Sequence, residues 1–403
     1  MKKIEIFNDP IYGFIYIQNP LIFKIIEHPY FQRLRRITQM GMSYLVYPGA
    51  HHTRFHHAIG CGFLMQKAIE TLRLKDIEIS KEEEEALLIA ILLHDIGHGP
   101  FSHALENSFI EGIHHEDISL HFMHKLNNEF DGKLSLAIQI FKNEYHKKYF
   151  YQLISSQLDM DRLDYLKRDS FYSGVVEGNI NAERLIAMLN VKDDALVIEE
   201  KGIYSVEKFI VARRLMYWLV YLHKTSLAAE YVLIKTLQRA KDLIEKGVNL
   251  SMSLALKYFI SNKIIQSNFE NEALVKFSEL DDYDILSALK SWSTHSDYIL
   301  SSLSRSIIDR KLPKVEMQNQ KFKNSYFEEK LYEFSQSLPV EQNNLHYFVF
   351  KGKVQNKAYK QNEKGIQILM KSGNVVDIVS ASDELNLQSF KNSVTKYFIC
   401  YPK

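Results

Sequence analysis

Four residues in this chain have the types and spacing to hold a metal ion. They are His57 in HHTRFHHAIG, the adjacent pair His94-Asp95 in AILLHDIGHGPFSH, and Asp161 in QLDMDRLDYLKRD. His94 and Asp95, at the end of an apolar helix, offer one imidazole nitrogen and one carboxylate oxygen to a single point. That donor pair suits one divalent transition metal (Fe, Mn, Zn or Ni), with Mg possible. Two donors alone would bind weakly, and an isolated His-Asp pair is more often a structural histidine beside a helix cap. His57 and Asp161 supply two more donors, each from its own helix, and helices of a bundle can converge on one ion. Two imidazoles and two carboxylates leave positions for water or phosphate oxygens, as a catalytic metal requires.

The elements that must position these residues are mostly helical. A small β-hairpin is expected over residues 3–18, on either side of Asn8-Asp9-Pro10 and Gly13. Pro20–Met42 reads as a helix with Ile25, Ile26, Phe31, Leu34 and Ile37 inward and Arg33, Arg35 and Arg36 outside or facing a pocket. Thr53–Leu72 is the next helix. Ser80 and Glu83 form a capping box, and the acidic run Glu82–Glu85 suits the positive end of the helix that delivers His94 and Asp95. Further helices are expected over His115–Asn127, Leu134–Phe141, Tyr149–Asp169, Asn181–Leu189 and Val206–Lys246, with shorter ones to Ser304. A hairpin near Leu189–Tyr204 turns at Asp193-Asp194. From Leu312 the helical period fades outside Phe327–Ser337. Strand-like alternation appears at His346–Lys351, Gly365–Met370, Val375–Val379 and Lys396–Tyr401. The chain therefore reads as mainly α, with a core over 1–311 and a small α+β module over 312–403. The lysine-rich stretch Lys351–Lys364 reads as a solvated loop or hairpin, with a phosphate or partner surface as the alternative.

Composition sets outer limits. At 403 residues with 46% hydrophobic and 25% charged residues, the chain can build a full core. Fifty basic and 49 acidic residues give a net charge of +1, which argues against a protein that coats nucleic acid. Two cysteines, Cys61 and Cys400, make no disulfide framework, and a cytoplasmic location is expected. The apolar run Ala86–Leu93 is far short of a membrane span, so no membrane partner is expected.

The ordered set H…HD…D resembles the HD-domain metal-dependent phosphohydrolases. Five blocks narrow the resemblance: NDPIYG (8–13), FQRLRRITQMG (31–41), HTRFHHAIG (52–60), HDIGHGPFSH (94–103) and DRLDYLKRD (161–169). They are similar to blocks of the deoxynucleoside triphosphate triphosphohydrolases, a group that includes bacterial dGTPases and the animal enzyme that depletes dNTP pools to restrict retroviruses. The resemblance covers roughly residues 5–240. It implies an HD-domain helical core, His57, His94, Asp95 and Asp161 as metal ligands, and His98, His103 and His115 facing the phosphates. The implied reaction is attack of a metal-activated water on the α-phosphorus of a substrate such as dGTP. Either His103 or His115 would protonate the leaving 5′-alkoxide, with His115 favoured and oriented by Glu106, which stands where the family commonly has Asp.

Arg54, three residues before His57, and Arg162, next to Asp161, are placed to clamp phosphate oxygens. Asp161, Tyr165 and Asp169 share one helix face at i, i+4 and i+8. Tyr165 packed under C2′ would exclude a ribose hydroxyl, and Asp169 would line the sugar. The plainer alternative is a packed tyrosine and an aspartate paired with Arg168 or Arg162. Gln39 and Tyr221 match the family's sugar-pocket positions. Glu27, Gln32 and Arg35 match positions of an activating nucleotide site, and a homo-oligomer is implied. The alternatives are a phosphohydrolase for another nucleotide (GTP, a monophosphate or a cyclic nucleotide) and a non-catalytic metal- and nucleotide-binding regulator.

Overall fold

The structure is a computed structural model and describes residues 4–101, 110–269, 271–356, 365–382 and 394–403. It is mainly α, with a few small sheets. The Arg54–Arg73 helix is central and packs against both the Lys81–Leu93 and Met160–Ser173 helices. Lys81–Leu93 starts where the capping box places it: Glu83 N–H donates to Ser80 Oγ (3.1 Å) and Ser80 N–H to Glu83 Oε2 (2.8 Å). Its apolar second half is buried almost all round, as expected of a helix inside a core. It ends at Leu93, so His94 and Asp95 begin the turn that follows.

Two stretches expected as continuous helix are broken, each for a local reason. Pro20–Glu27 stops at His28, whose backbone is extended ahead of Pro29. His28 Nδ1 then caps Pro29–Gln32 through Tyr30 N–H (3.2 Å). Lys148–Ile154 and Met160–Ser173 are separate because Asp159 caps the second, accepting from Arg162 N–H at 2.7 Å. This puts Asp161 in the first turn. Ile203–Met216 runs into a π-helical turn, Tyr217–Tyr221, before Lys224–Glu245 begins. Such turns often accompany functional sites.

Arg33 corrects the expectation of an outward or pocket-facing guanidinium. The chain tightens to a 3₁₀ turn over Arg33–Arg36, and Arg33 is fully buried. It donates to the carbonyls of Leu280 (3.0 Å), Ile96 (3.1 Å) and His98 (2.5 Å), so it braces the turn that follows His94-Asp95. Arg33→Ala is expected to cost about 3 kcal/mol of stability, since three buried acceptors lose their charged donor. Urea unfolding checks it, and a loss under 1 kcal/mol would contradict this role.

The hairpin Leu189–Lys192/Ala195–Glu199 turns at Asp193-Asp194, both at positive φ (51° and 58°), as expected. Beyond Leu312 the strands make two different attachments. Lys314–Gln318, a strand the sequence pattern misses, pairs with Val394–Tyr401, which also pairs with Phe350–Asn356. Gln367–Leu369 instead joins Ala195–Glu199 in parallel and carries Val375–Asp377 on its other edge. The C-terminal strands thus extend a sheet of the helical part. His346 lies in a 3₁₀ turn, Gln342–Tyr347, ahead of Phe350–Asn356. Among the described residues no helix is long and apolar enough to cross a membrane.

Candidate active site

His57, His94, Asp95 and Asp161 meet at one point although they span more than a hundred positions. His57 Nε2 lies 3.2 Å from Asp161 Oδ1 and 3.7 Å from Asp95 Oδ2. His94 Nε2 lies 3.3 Å from Asp95 Oδ1 and 3.6 Å from Asp161 Oδ1. Both imidazoles are held from behind. Asp164 Oδ2 takes His57 Nδ1 (2.7 Å), and the Ile91 carbonyl takes His94 Nδ1 (2.6 Å). A partner on Nδ1 fixes the tautomer and turns Nε2 toward the cluster, as in metal-binding histidines. His94 Nε2 is buried and makes no hydrogen bond. A buried polar atom without a partner is costly, and a cation at this point would satisfy it. Burial opposes charge here, yet Asp95 and Asp161 still raise the His94 pKa above its ordinary value. The same histidines hold Asp161 below the carboxylate range despite its burial. Protons thus do part of what a cation would do, and a bound cation displaces them. The residues present fit a divalent metal.

Cys61 also lies close. Its sulfur is 3.5 and 3.6 Å from the two nitrogens of His57, hence over the ring and not in line with either lone pair. Burial pushes its thiol up, which keeps it protonated.

The turn after Asp95 is stapled to the His115–Glu129 helix. Ser119 Oγ donates to the His94 carbonyl (2.8 Å) and accepts from Gly97 N–H (2.9 Å). A Cβ on Gly97 would sit 2.2 Å from the His115 carbonyl, so glycine is required there. The staple brings His98 and His115 face to face, with ring centroids 3.9 Å apart and planes at 18°. His98 Nε2 is 3.3 Å from Asp95 Oδ1. Burial and the Arg54 charge push its pKa well below the ordinary value, so it is neutral. His103 and Glu106 lie outside the described residues.

A cavity of about 460 Å³ opens over this cluster, and Gln39, Arg54, Asp95, His98, His115, Asp161, Arg162, Tyr165, Asp169 and Tyr221 all line it. An adjoining cavity of about 240 Å³ shares Asp95, His115 and Asp161 and reaches Ser155 and Tyr151. The lining residues differ in how free they are. Arg54 hydrogen-bonds Asp95, and Arg162 hydrogen-bonds Asp159 while its Nε is buried without a partner. Gln39 Oε1 is likewise buried and unpartnered. Tyr165 meets Tyr221 edge to face at 6.1 Å. Asp169 pairs with neither Arg168 nor Arg162. Its carboxylate takes His52 Nε2 and Tyr221 Oη, both at 2.7 Å, so it holds the tyrosine wall. Arg168 instead grips Asp164 and Asp9.

Glu27, Gln32 and Arg35 lie away from this cavity. Gln32 Oε1 accepts from Arg35 Nε (2.8 Å), and the Arg35 guanidinium stacks over Phe55 at 3.5 Å. Sequence reasoning missed Asp164, Asp159, His52 and Ser119. Asp164 alone carried a readable signal, its i,i+4 spacing to Arg168.

Residues 54–169 match the HD domain, and residues 180–254 an HD associated region. A solved structure of a phosphohydrolase from Bacteroides thetaiotaomicron is 50% identical, covers 100% of both chains and superposes with a TM-score of 0.96. The uncharacterized Bacillus subtilis protein YwfO is 35% identical over 81% of this chain and 76% of its own length. A Dictyostelium discoideum protein named deoxynucleoside triphosphate triphosphohydrolase SAMHD1 homolog is 30% identical over 73% of this chain, which spans 63% of that protein. With its metal-competent cluster inside the matched domain, the chain belongs to the HD-domain phosphohydrolase family.

Proposed function

We propose that this protein hydrolyses deoxynucleoside triphosphates to nucleoside and triphosphate, with one divalent transition metal held by His57, His94, Asp95 and Asp161. The observation that carries the reading is the four-residue cluster with an unpartnered His94 Nε2, set beneath a cavity lined by Arg162, Tyr165 and Tyr221. The relatives named for dNTP hydrolysis support the substrate class. When bound, the metal supplies Lewis acidity, lowering the pKa of a water and offsetting phosphate charge.

The chain's own residues do the rest. Asp164 and the Ile91 carbonyl fix the two imidazoles, and Arg54 fixes Asp95. Arg162, tethered by Asp159, lines the cavity and offers its guanidinium to the phosphates. The two adjoining cavities give nucleoside and triphosphate separate room. His98, neutral and stacked on His115, contacts phosphate oxygens. His115 gives its proton to the leaving 5′-oxygen. On the resemblance alone, Glu106 orients His115, His103 faces the phosphates, and Glu27, Gln32 and Arg35 bind an activating nucleotide.

Tyr165 and Tyr221 wall the sugar, with Gln39 Oε1 as the acceptor for a sugar hydroxyl. Tyr165→Ala is expected to lower the dNTP-to-NTP rate ratio about tenfold or more, because a packed wall disfavours one added hydroxyl by roughly that factor. The test incubates purified protein with each dNTP and NTP under Mn, Mg and Fe separately, with Asp161→Ala protein as the blank. Nucleoside and triphosphate from dNTPs, absent in the blank, support the reading. Nucleotide binding without turnover under every metal would sink it in favour of a regulator.

A further inference from the structure

One acidic side chain in the cavity wall has no part in the chemistry above. Glu230, on the Lys224–Glu245 helix, lines the large cavity together with Met40, Gly41, Phe101 and Leu227. Its Oε1 lies 3.5 Å from the point where a Gly41 Cβ would stand, and the Phe101 carbonyl oxygen lies 3.2 Å from the same point. Gly41 has φ +53°, a conformation glycine adopts freely, and its backbone packs close to both oxygens, which brings Glu230 and the Phe101 carbonyl together at the cavity wall. Phe101, also at positive φ (49°), is held there by its N–H, which donates to Asp282 Oδ1 at 2.7 Å. Asp282 Oδ2 accepts from Thr38 N–H (2.8 Å) and Thr38 Oγ1 (2.7 Å). One buried carboxylate therefore fixes the Phe101 carbonyl and the segment leading into Gln39–Gly41. Burial alone pushes the Glu230 carboxyl up to about 7, with no basic group of the described residues offsetting it. A carboxylate kept in a cavity wall without a cation is costly and is set to receive donors from a ligand.

We propose that Glu230 and the Phe101 carbonyl form a base subsite that reads the Watson–Crick edge of guanine. The subsite rests on the dNTP reading of the cavity and adds the identity of the base. Guanine offers two adjacent N–H donors on that edge, N1–H and the 2-amino group. Adenine and cytosine set an amino group beside a ring-nitrogen acceptor, and thymine sets one N–H between two carbonyls. A carboxylate can accept two parallel N–H bonds, and a matched bidentate pair discriminates bases by about tenfold to a hundredfold. The apolar Met40 and Leu227 flank the subsite.

The test compares dGTP with dITP, which lacks only the 2-amino group. Calorimetric titration of the wild-type protein at pH 8, where Glu230 is ionised, is expected to give dGTP at least about tenfold tighter binding than dITP. Glu230→Gln presents an amide donor to guanine's donors and is expected to close that gap toward one. Equal binding of dGTP and dITP by wild type overturns the subsite without any variant. So does a gap that survives in a folded Glu230→Gln protein. Turnover with Mn is measured in parallel. A dGTP–dITP binding gap without turnover would reject hydrolysis and keep the base subsite, whereas turnover of all dNTPs with no gap would do the reverse.

Discussion

Asp161→Ala protein is expected to stay folded, lose its bound divalent metal, and hydrolyse nucleotide at least about a thousandfold more slowly. The magnitude follows from removing a negatively charged ligand from a site that must polarise water and offset phosphate charge, a contribution of several kcal/mol. The fold is expected to survive because Asp161 is the most exposed of the four, with about a quarter of its side chain open. It contacts His57 and His94, each of which keeps a second carboxylate partner, Asp164 and Asp95, so its loss strands no buried cation. Metal content by mass spectrometry, the hydrolysis rate and a thermal melt together check this. Full metal occupancy with a rate within tenfold of wild type would mean that the cluster is not the metal site.

Asp164→Ala is expected to act in the opposite order, on the fold first. Asp164 is completely buried, and its carboxylate takes His57 Nδ1 at 2.7 Å and both Nε and Nη2 of Arg168 at 2.9 Å. Burial raises the carboxyl's pKa, but Arg168 and His57 outweigh it and bring it to about 2. Truncation leaves Arg168 buried with Asp9 as its remaining carboxylate partner. Breaking a buried pair by removing one partner costs about 3–5 kcal/mol. In the fraction that folds, His57 is free to turn, and loss of such a support weakens metal affinity about 10- to 100-fold. Urea unfolding gives the first effect and a metal titration the second. Asp164→Asn, which keeps the shape, should recover part of the stability and less of the metal affinity. Unchanged metal affinity in both variants would show that His57 needs no support.

What the sequence made legible was the chemistry with a short local signature. His94-Asp95 at the end of an apolar run, the capping box at Ser80 and Glu83, and the shared face of Asp161, Tyr165 and Asp169 all follow from helical periodicity and adjacency. Their convergence follows from burial of the three helices that carry them. What was hidden depended on long-range partners. Arg33 reads as surface in its own helix, because nothing local reveals that the carbonyls of Ile96, His98 and Leu280 await it. Asp169 looked free for a sugar, because His52 and Tyr221 lie 117 and 52 positions away. Glu230 sits among apolar helical neighbours, and only its meeting with Gly41 and Phe101 makes it a candidate reader of a base. The strand Lys314–Gln318 exists by pairing with a segment near the C-terminus, which no local pattern announces.

The most direct test of the central claim is hydrolysis of dGTP with Mn in ¹⁸O-water, with the products followed by ³¹P NMR and mass spectrometry. Attack of water on the α-phosphorus with cleavage of its bond to the 5′-oxygen predicts labelled triphosphate and unlabelled deoxyguanosine, in equal amounts. Release of diphosphate with the monophosphate, or of orthophosphate with the diphosphate, would contradict it, because the cluster would then be acting at a different bond.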